Sequence, residues 1–137
     1  MRIPTYSYLD IESLWERRGV PLTGIVIVDA EYAVPTKKWL LRVARIHAEQ
    51  SQPYSPAYDC DDFAMSLKLR TQQIHAQVMP TVDGLAVGVL FYVDDEAGPH
   101  AINWALHRRG LYFVEPQTGR EKCLSKSELR SVYFVYV

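Results

Sequence analysis

The chain has 137 residues, close to half of them apolar, with nine Tyr, four Phe and three Trp to fill an interior. That suffices for one compact domain over residues 1–137 without disulfide or metal staples, and leaves little room for a second. Its 15 basic and 16 acidic residues balance and no run of Lys/Arg exceeds two, which excludes the basic surface that nucleic acid requires.

In chain order, the first predicted element is a helix over 10–18. Asp10 is its candidate cap, Leu14 and Trp15 form its inner side, and Gly19 and Pro21 end it. The β-branched run 24–29 reads as a short buried strand. Thr36 then caps a helix bearing Trp39, Leu40, Val43 and Ile46 at spacings of three and four, with Lys37 and Lys38 at the wrong end for its dipole. Pro53 and Pro56 hold 50–58 as loop. A third helix runs from Cys60 to about His75, with Asp59 as cap, Asp62 three residues on, and Phe63, Ala64, Leu67 and Ile74 on the face of Cys60. Past Pro80 and Gly84 the pattern turns to strands over 85–93, 100–106, 111–114 and 132–137, joined by short turns. Helices first and an antiparallel sheet afterwards make an α+β arrangement.

No stretch reaches the roughly 20 apolar residues that cross a bilayer. The opening MRIPTYSYLD lacks the layout of a secretory signal. A cytoplasmic protein without a membrane partner is expected, one in which Cys60 and Cys123 stay unpaired. The oligomeric state leaves no mark in the sequence.

One constellation carries chemistry. A helix start favours a thiolate at Cys60, through unpaired amides and the positive dipole end. His100, at a strand start, supplies a base. Either Glu115 or Asn103 could orient its ring. Asn103 lies an odd number of residues from His100 and points to the other sheet face. A turn centred on 108–110 pairs positions whose numbers sum to about 217, which brings Glu115 near Ala101 and Ile102 beside His100. Taken singly, a helix-start Cys reads as packing, and His47, His75 and His107 read as structural donors. The joint placement of Cys60, His100 and Glu115 is what argues for nucleophilic catalysis. The Cys60 amide, Gln117 and the Tyr58 hydroxyl are oxyanion candidates.

The segments Tyr58-Asp59-Cys60-Asp61-Asp62-Phe63-Ala64, His100-Ala101-Ile102-Asn103-Trp104 and Glu115-Pro116-Gln117 resemble the papain-like C-terminal domain of mushroom agglutinins of the Marasmius oreades type. More loosely, they are similar to bacterial transglutaminase-like cysteine peptidases. The resemblance implies a papain-like fold and a calcium-activated cysteine protease acting on a peptide or protein substrate. Its Cys, His and Glu would fall on Cys60, His100 and Glu115. The β-trefoil lectin half of those agglutinins has no counterpart here, so sugar binding is not expected from it, and stand-alone chains of this kind fit a bacterial or phage source.

Calcium also has a physical motive. Asp59, Asp61 and Asp62 crowd the helix end where a thiolate would form, and a hard cation would reverse their field. Asp95, in the acidic run 94–96, could add oxygens, although the spacing fits no EF-hand. The bland reading of these acids is helix capping. Two rivals to the enzyme remain: a catalytically inactive papain-like binding module, phage-encoded and engaging a host partner, and a structural calcium-binding domain.

Overall fold

Ser7, not Asp10, opens the first helix. In the computed structural model, which describes residues 3–79 and 83–137, the Ser7 side chain accepts from the Asp10 amide. Asp10 returns the bond to the Ser7 N–H at 3.0 Å, a reciprocal cap worth about 1 kcal/mol. That helix, α1 (Tyr8–Glu16), buries Ile11 and Trp15. Helix α2 (Lys37–Gln50) starts at Thr36, whose hydroxyl accepts from the Trp39 amide, and its fully buried residues are Leu40 and Ala44. Helix α3 (Cys60–Val78) is three residues longer than the periodicity suggests. Pro80, where the pattern changes, lies outside the described residues.

Nine strands are described: β1 (Thr5–Ser7), β2 (Ile25–Val26), β3 (Glu31–Ala33), β4 (Gly84–Leu85), β5 (Val87–Asp94), β6 (Gly98–His107), β7 (Gly110–Glu115), β8 (Arg120–Lys122) and β9 (Phe134–Tyr136). A short helix, α4 (Lys126–Arg130), precedes β9. Six strands form one sheet in the order β2-β9-β5-β6-β7-β8, and three form another, β1-β3-β4.

This corrects the expected architecture in two respects. The sheets are mixed, because β2 runs parallel to β9 and β3 parallel to β4, and the strands come from both ends of the chain. The predicted strand over 24–29 shrinks to two residues beyond a 3-10 turn, and Val28 stands exposed.

The large sheet is covered on both faces, which is why β6 is buried from Ala101 to Leu106, with Asn103 the one polar residue in that stretch. Leu90, Tyr92, Ile102, Trp104, Leu106 and Phe113 face Ile11 and Trp15 of α1. On the opposite face Val87, Ala105, Tyr112 and Val114 meet Leu40, Ala44 and Leu67 of α2 and α3. A smaller cluster of Ala64, Val89 and Ala101 continues that second face, with Cys60 and Phe91 against it. Gly88 is required where β5 passes the Trp104 ring and the Tyr136 carbonyl, since a Cβ would overlap both.

The β6–β7 hairpin takes the predicted register: Asn103 opposes Val114 and Trp104 opposes Phe113. Among the described residues no helix is long and apolar enough to cross a membrane.

Candidate functional site

The site gathers where the first turn of α3 meets the start of β6. Cys60 is the first residue of α3, so its sulfur lies near unpaired helix amides. Burial nonetheless pushes its thiol above the ordinary range. The Ala101 amide opposes that shift, while the charges of Asp59 and Asp61 reinforce it.

His100 Nε2 lies 2.8 Å from Glu115 Oε2, both side chains being mostly buried. The second Glu115 oxygen accepts from the Gln117 N–H at 3.2 Å, so Gln117 acts on the pair through its backbone. The turn that allows this bends at Gly119, whose φ is +72° and whose N–H donates to Glu115 O at 2.8 Å. The His100 ring packs edge-on against Tyr92, its cross-strand neighbour.

The structure thus brings His100 and Glu115 together and sets Cys60 against the Ala101 cluster. Strand alternation sends His100 and Ala101 to opposite faces. Among the described residues no hydrogen bond joins the Cys60 sulfur to His100.

The other expected residues are dispersed. Asn103 Nδ2 donates to Ala64 O at 2.9 Å and to Gly88 O at 3.1 Å, tying α3 to β5 away from His100. The Tyr58 ring packs edge-on against Phe63, and its backbone bridges Ser55. Asp62 accepts the Asp59 N–H at 3.1 Å. Asp95 accepts the hydroxyls of Ser127 at 2.6 Å and Ser125 at 2.7 Å at the start of α4, which holds its carboxyl below the usual range. His47 Nε2 meets Ser66 Oγ at 2.9 Å, and His107 Nδ1 accepts the Arg109 N–H at 3.2 Å. Both cysteines are free.

Two acids do converge. Ligand atoms of Asp59, Cys60 and Asp61 lie within 4.8 Å of one another. Asp59 Oδ1 is buried and has no hydrogen-bond partner among the described residues. Its carboxylate raises the Asp61 carboxyl above the ordinary range, first by the hydrogen bond the two acids share, then with help from burial and charge repulsion.

Sequence reasoning passed over Lys68. It lies on the α3 stripe Ala64-Lys68-Thr71-His75, all buried, so a basic residue on the inner side of an amphipathic helix was the available signal. Burial holds its amine below the usual range, partly offset by the charge of Asp29.

A domain of this build, matched over residues 32–121, defines the class: the chain belongs to the agglutinin C-terminal family. Among solved structures it is similar to a PSL1a-E64 complex, at 22% identity and a TM-score of 0.76, over 97% of this chain and 51% of that one. It is similar also to the Polyporus squamosus lectin bound to the human-type influenza-binding epitope Neu5Aca2-6Galb1-4GlcNAc, at 19% identity and a TM-score of 0.75, over 97% and 49%. The chain therefore spans about half the length of the structures it matches. No curated protein matches it.

These findings overturn the papain-like reading. The family is named for agglutinins, one of the two structures is named a lectin, and the shared fold is mixed α/β with a six-stranded sheet. The expectations of a cysteine protease or other hydrolase, of a likeness to transglutaminase-like peptidases and of a catalytic triad acting on peptide substrates are corrected accordingly. A physical reason holds for the cation-free site, where burial first and then the two acids disfavour the Cys60 thiolate.

Proposed function

We propose that this chain is a binding module whose affinity for its partner depends on a divalent cation, calcium foremost, held by Asp59 and Asp61 at the head of α3. The observation that carries this reading is the convergence of those carboxylates within 4.8 Å around a buried, unpartnered Asp59 Oδ1. Two carboxylates this close oppose each other's ionisation, and a bound cation would relieve that repulsion. Oxygen donors suit a hard ion, and calcium completes its shell of six to eight oxygens with backbone carbonyls and water. When bound, the ion supplies charge neutralisation. It lowers the Asp61 carboxyl, and with it the thiol of Cys60. His100 and Glu115 form a rigid polar pair on the neighbouring strands and border the same end of the sheet.

Isothermal titration of the calcium-stripped protein tests the proposal. Saturable binding of one calcium ion is expected, with loss of at least tenfold in affinity in Asp59→Asn and Asp61→Asn. Equal binding by the variants refutes the site. Tight zinc binding with no calcium binding would instead mark Cys60 as a ligand beside the acids, since thiolate is a soft donor.

A further inference from the structure

A cleft of about 600 Å³ runs along α3 from Asp62 to Gln72, its other wall made by Val28, Asp29 and Tyr136. Lys68 is built into it. Its side chain is 8% exposed, its Nζ donates to Val87 O at a long 3.4 Å, and the ammonium lies 5.3 Å from the centre of the Tyr136 ring. An ammonium carries three donors, so this single long bond leaves capacity unused. Asp29, Asp62 and Asp83 bring carboxylates to the same cleft, and among the described residues none forms an ion pair with Lys68.

Charge selects the occupant. An anion entering the cleft meets three carboxylates. A cation meets a buried ammonium. A neutral polyol satisfies both, because each hydroxyl accepts from Lys68 and donates to a carboxylate. The rim adds exposed Val28 and Leu69, apolar surface that suits the C–H face of a sugar ring. The volume falls in the range of small-molecule sites, about 300–1,000 Å³.

We infer that this cleft binds a neutral sugar, with Lys68 donating to its hydroxyls and Asp29 accepting from them. The inference rests on the binding-module reading and names its ligand class. The cleft borders the cation site through Asp62, which accepts the Asp59 N–H, but neither Lys68 nor Asp29 belongs to the Asp59–Asp61 group. It also sets this chain apart from a lectin that takes a sialylated epitope, because the acidic wall here opposes a carboxylated sugar.

Saturation-transfer NMR against galactose, mannose, N-acetylglucosamine and sialyllactose tests it, using the wild type, Lys68→Met and Asp29→Asn, with calcium titrated in parallel. Lys68→Met keeps the volume of the buried stem, and Asp29 sits on the cleft wall. The expected result is transfer to one or more neutral sugars, weakened at least tenfold in each folded variant, with calcium affinity within twofold of wild type. The cleft is overturned if calcium binds and no neutral sugar does, if the variants bind sugar like wild type, or if sialyllactose alone is bound. Sugar binding that depends on Lys68 in a protein that ignores calcium would support the cleft and remove the cation instead.

Discussion

Replacing Asp61 with Asn should reverse the order of stability between the wild type and the variant, depending on calcium. Ligand atoms of Asp59 and Asp61 lie within 4.8 Å, and two like charges at that separation repel by about 1 kcal/mol in water-like surroundings. The sign follows from linkage. The folded-state pKa of Asp61 is raised, so the native state holds its proton more tightly than the unfolded chain. Wild-type stability therefore falls as pH rises from the unfolded carboxyl value through the raised one, and the full penalty stands at neutral pH. Asn removes it. In EDTA the variant should melt about 3–4 °C above wild type, given an unfolding entropy of about 2.1 cal/mol/K per residue. With calcium at about 100 times its wild-type dissociation constant, wild type gains about 2.7 kcal/mol, or about 9 °C, and a variant binding tenfold more weakly gains at most about 1.4 kcal/mol, or about 5 °C. Scanning calorimetry at pH 7 with EDTA and then with excess calcium reads both arms. A variant less stable than wild type in EDTA, or equal calcium shifts in the two proteins, would refute the reasoning.

Other perturbations probe the frame around the site. Asp94 accepts from Lys122 Nζ at 2.6 Å and Tyr92 Oη at 3.0 Å, and its carboxyl is held well below the usual range, by the Lys122 bond first and then by backbone amides of the following turn. Its contribution is therefore complete above about pH 4 and drains away as pH falls below that. Asp94→Asn should cost about 2–3 kcal/mol at pH 7, and the gap from wild type in urea unfolding should narrow by pH 2.5. Gly119→Ala meets both a positive φ and the α2 backbone at Arg45, so a loss of about 2–4 kcal/mol is expected by chemical denaturation. Cys60 should alkylate with iodoacetamide more slowly than exposed Cys123 in EDTA, because burial and the two acids disfavour its thiolate, and should speed up on adding calcium. A fast, His100-dependent reaction at Cys60 without calcium would restore the activated thiol that the present reading sets aside.

Local elements were legible where one residue type has one physical use. Thr36 before an apolar stripe, Asp59 before another and the 108–110 turn sufficed to find α2, α3 and the register that puts Glu115 beside His100. What escaped is non-local. Strands β2 and β3 are two and three residues long and gain their partners, β9 and β4, from more than fifty residues away, so no periodicity could announce their parallel pairing. Helix α4 did carry a signal, Ser125 followed by Glu128 as a capping box, but only five residues follow and no apolar run marks them. The functional reading went astray for a different cause. Order along the chain put an imidazole beside an acid and a thiol at the head of α3, yet the reactivity of a thiol depends on burial and on neighbouring charge, and Asp59 and Asp61 act against it. Lys68 was invisible because a lysine between two leucines reads as a solvated face until the packing of β5 and Tyr136 around it is known.

A crystal structure grown in calcium gives the most direct answer. The account predicts one ion bonded to carboxylate oxygens of Asp59 and Asp61 at roughly 2.3–2.6 Å, with Asp59 Oδ1 satisfied. Crystals in which those acids remain bare while calcium sits elsewhere, or nowhere, would contradict it.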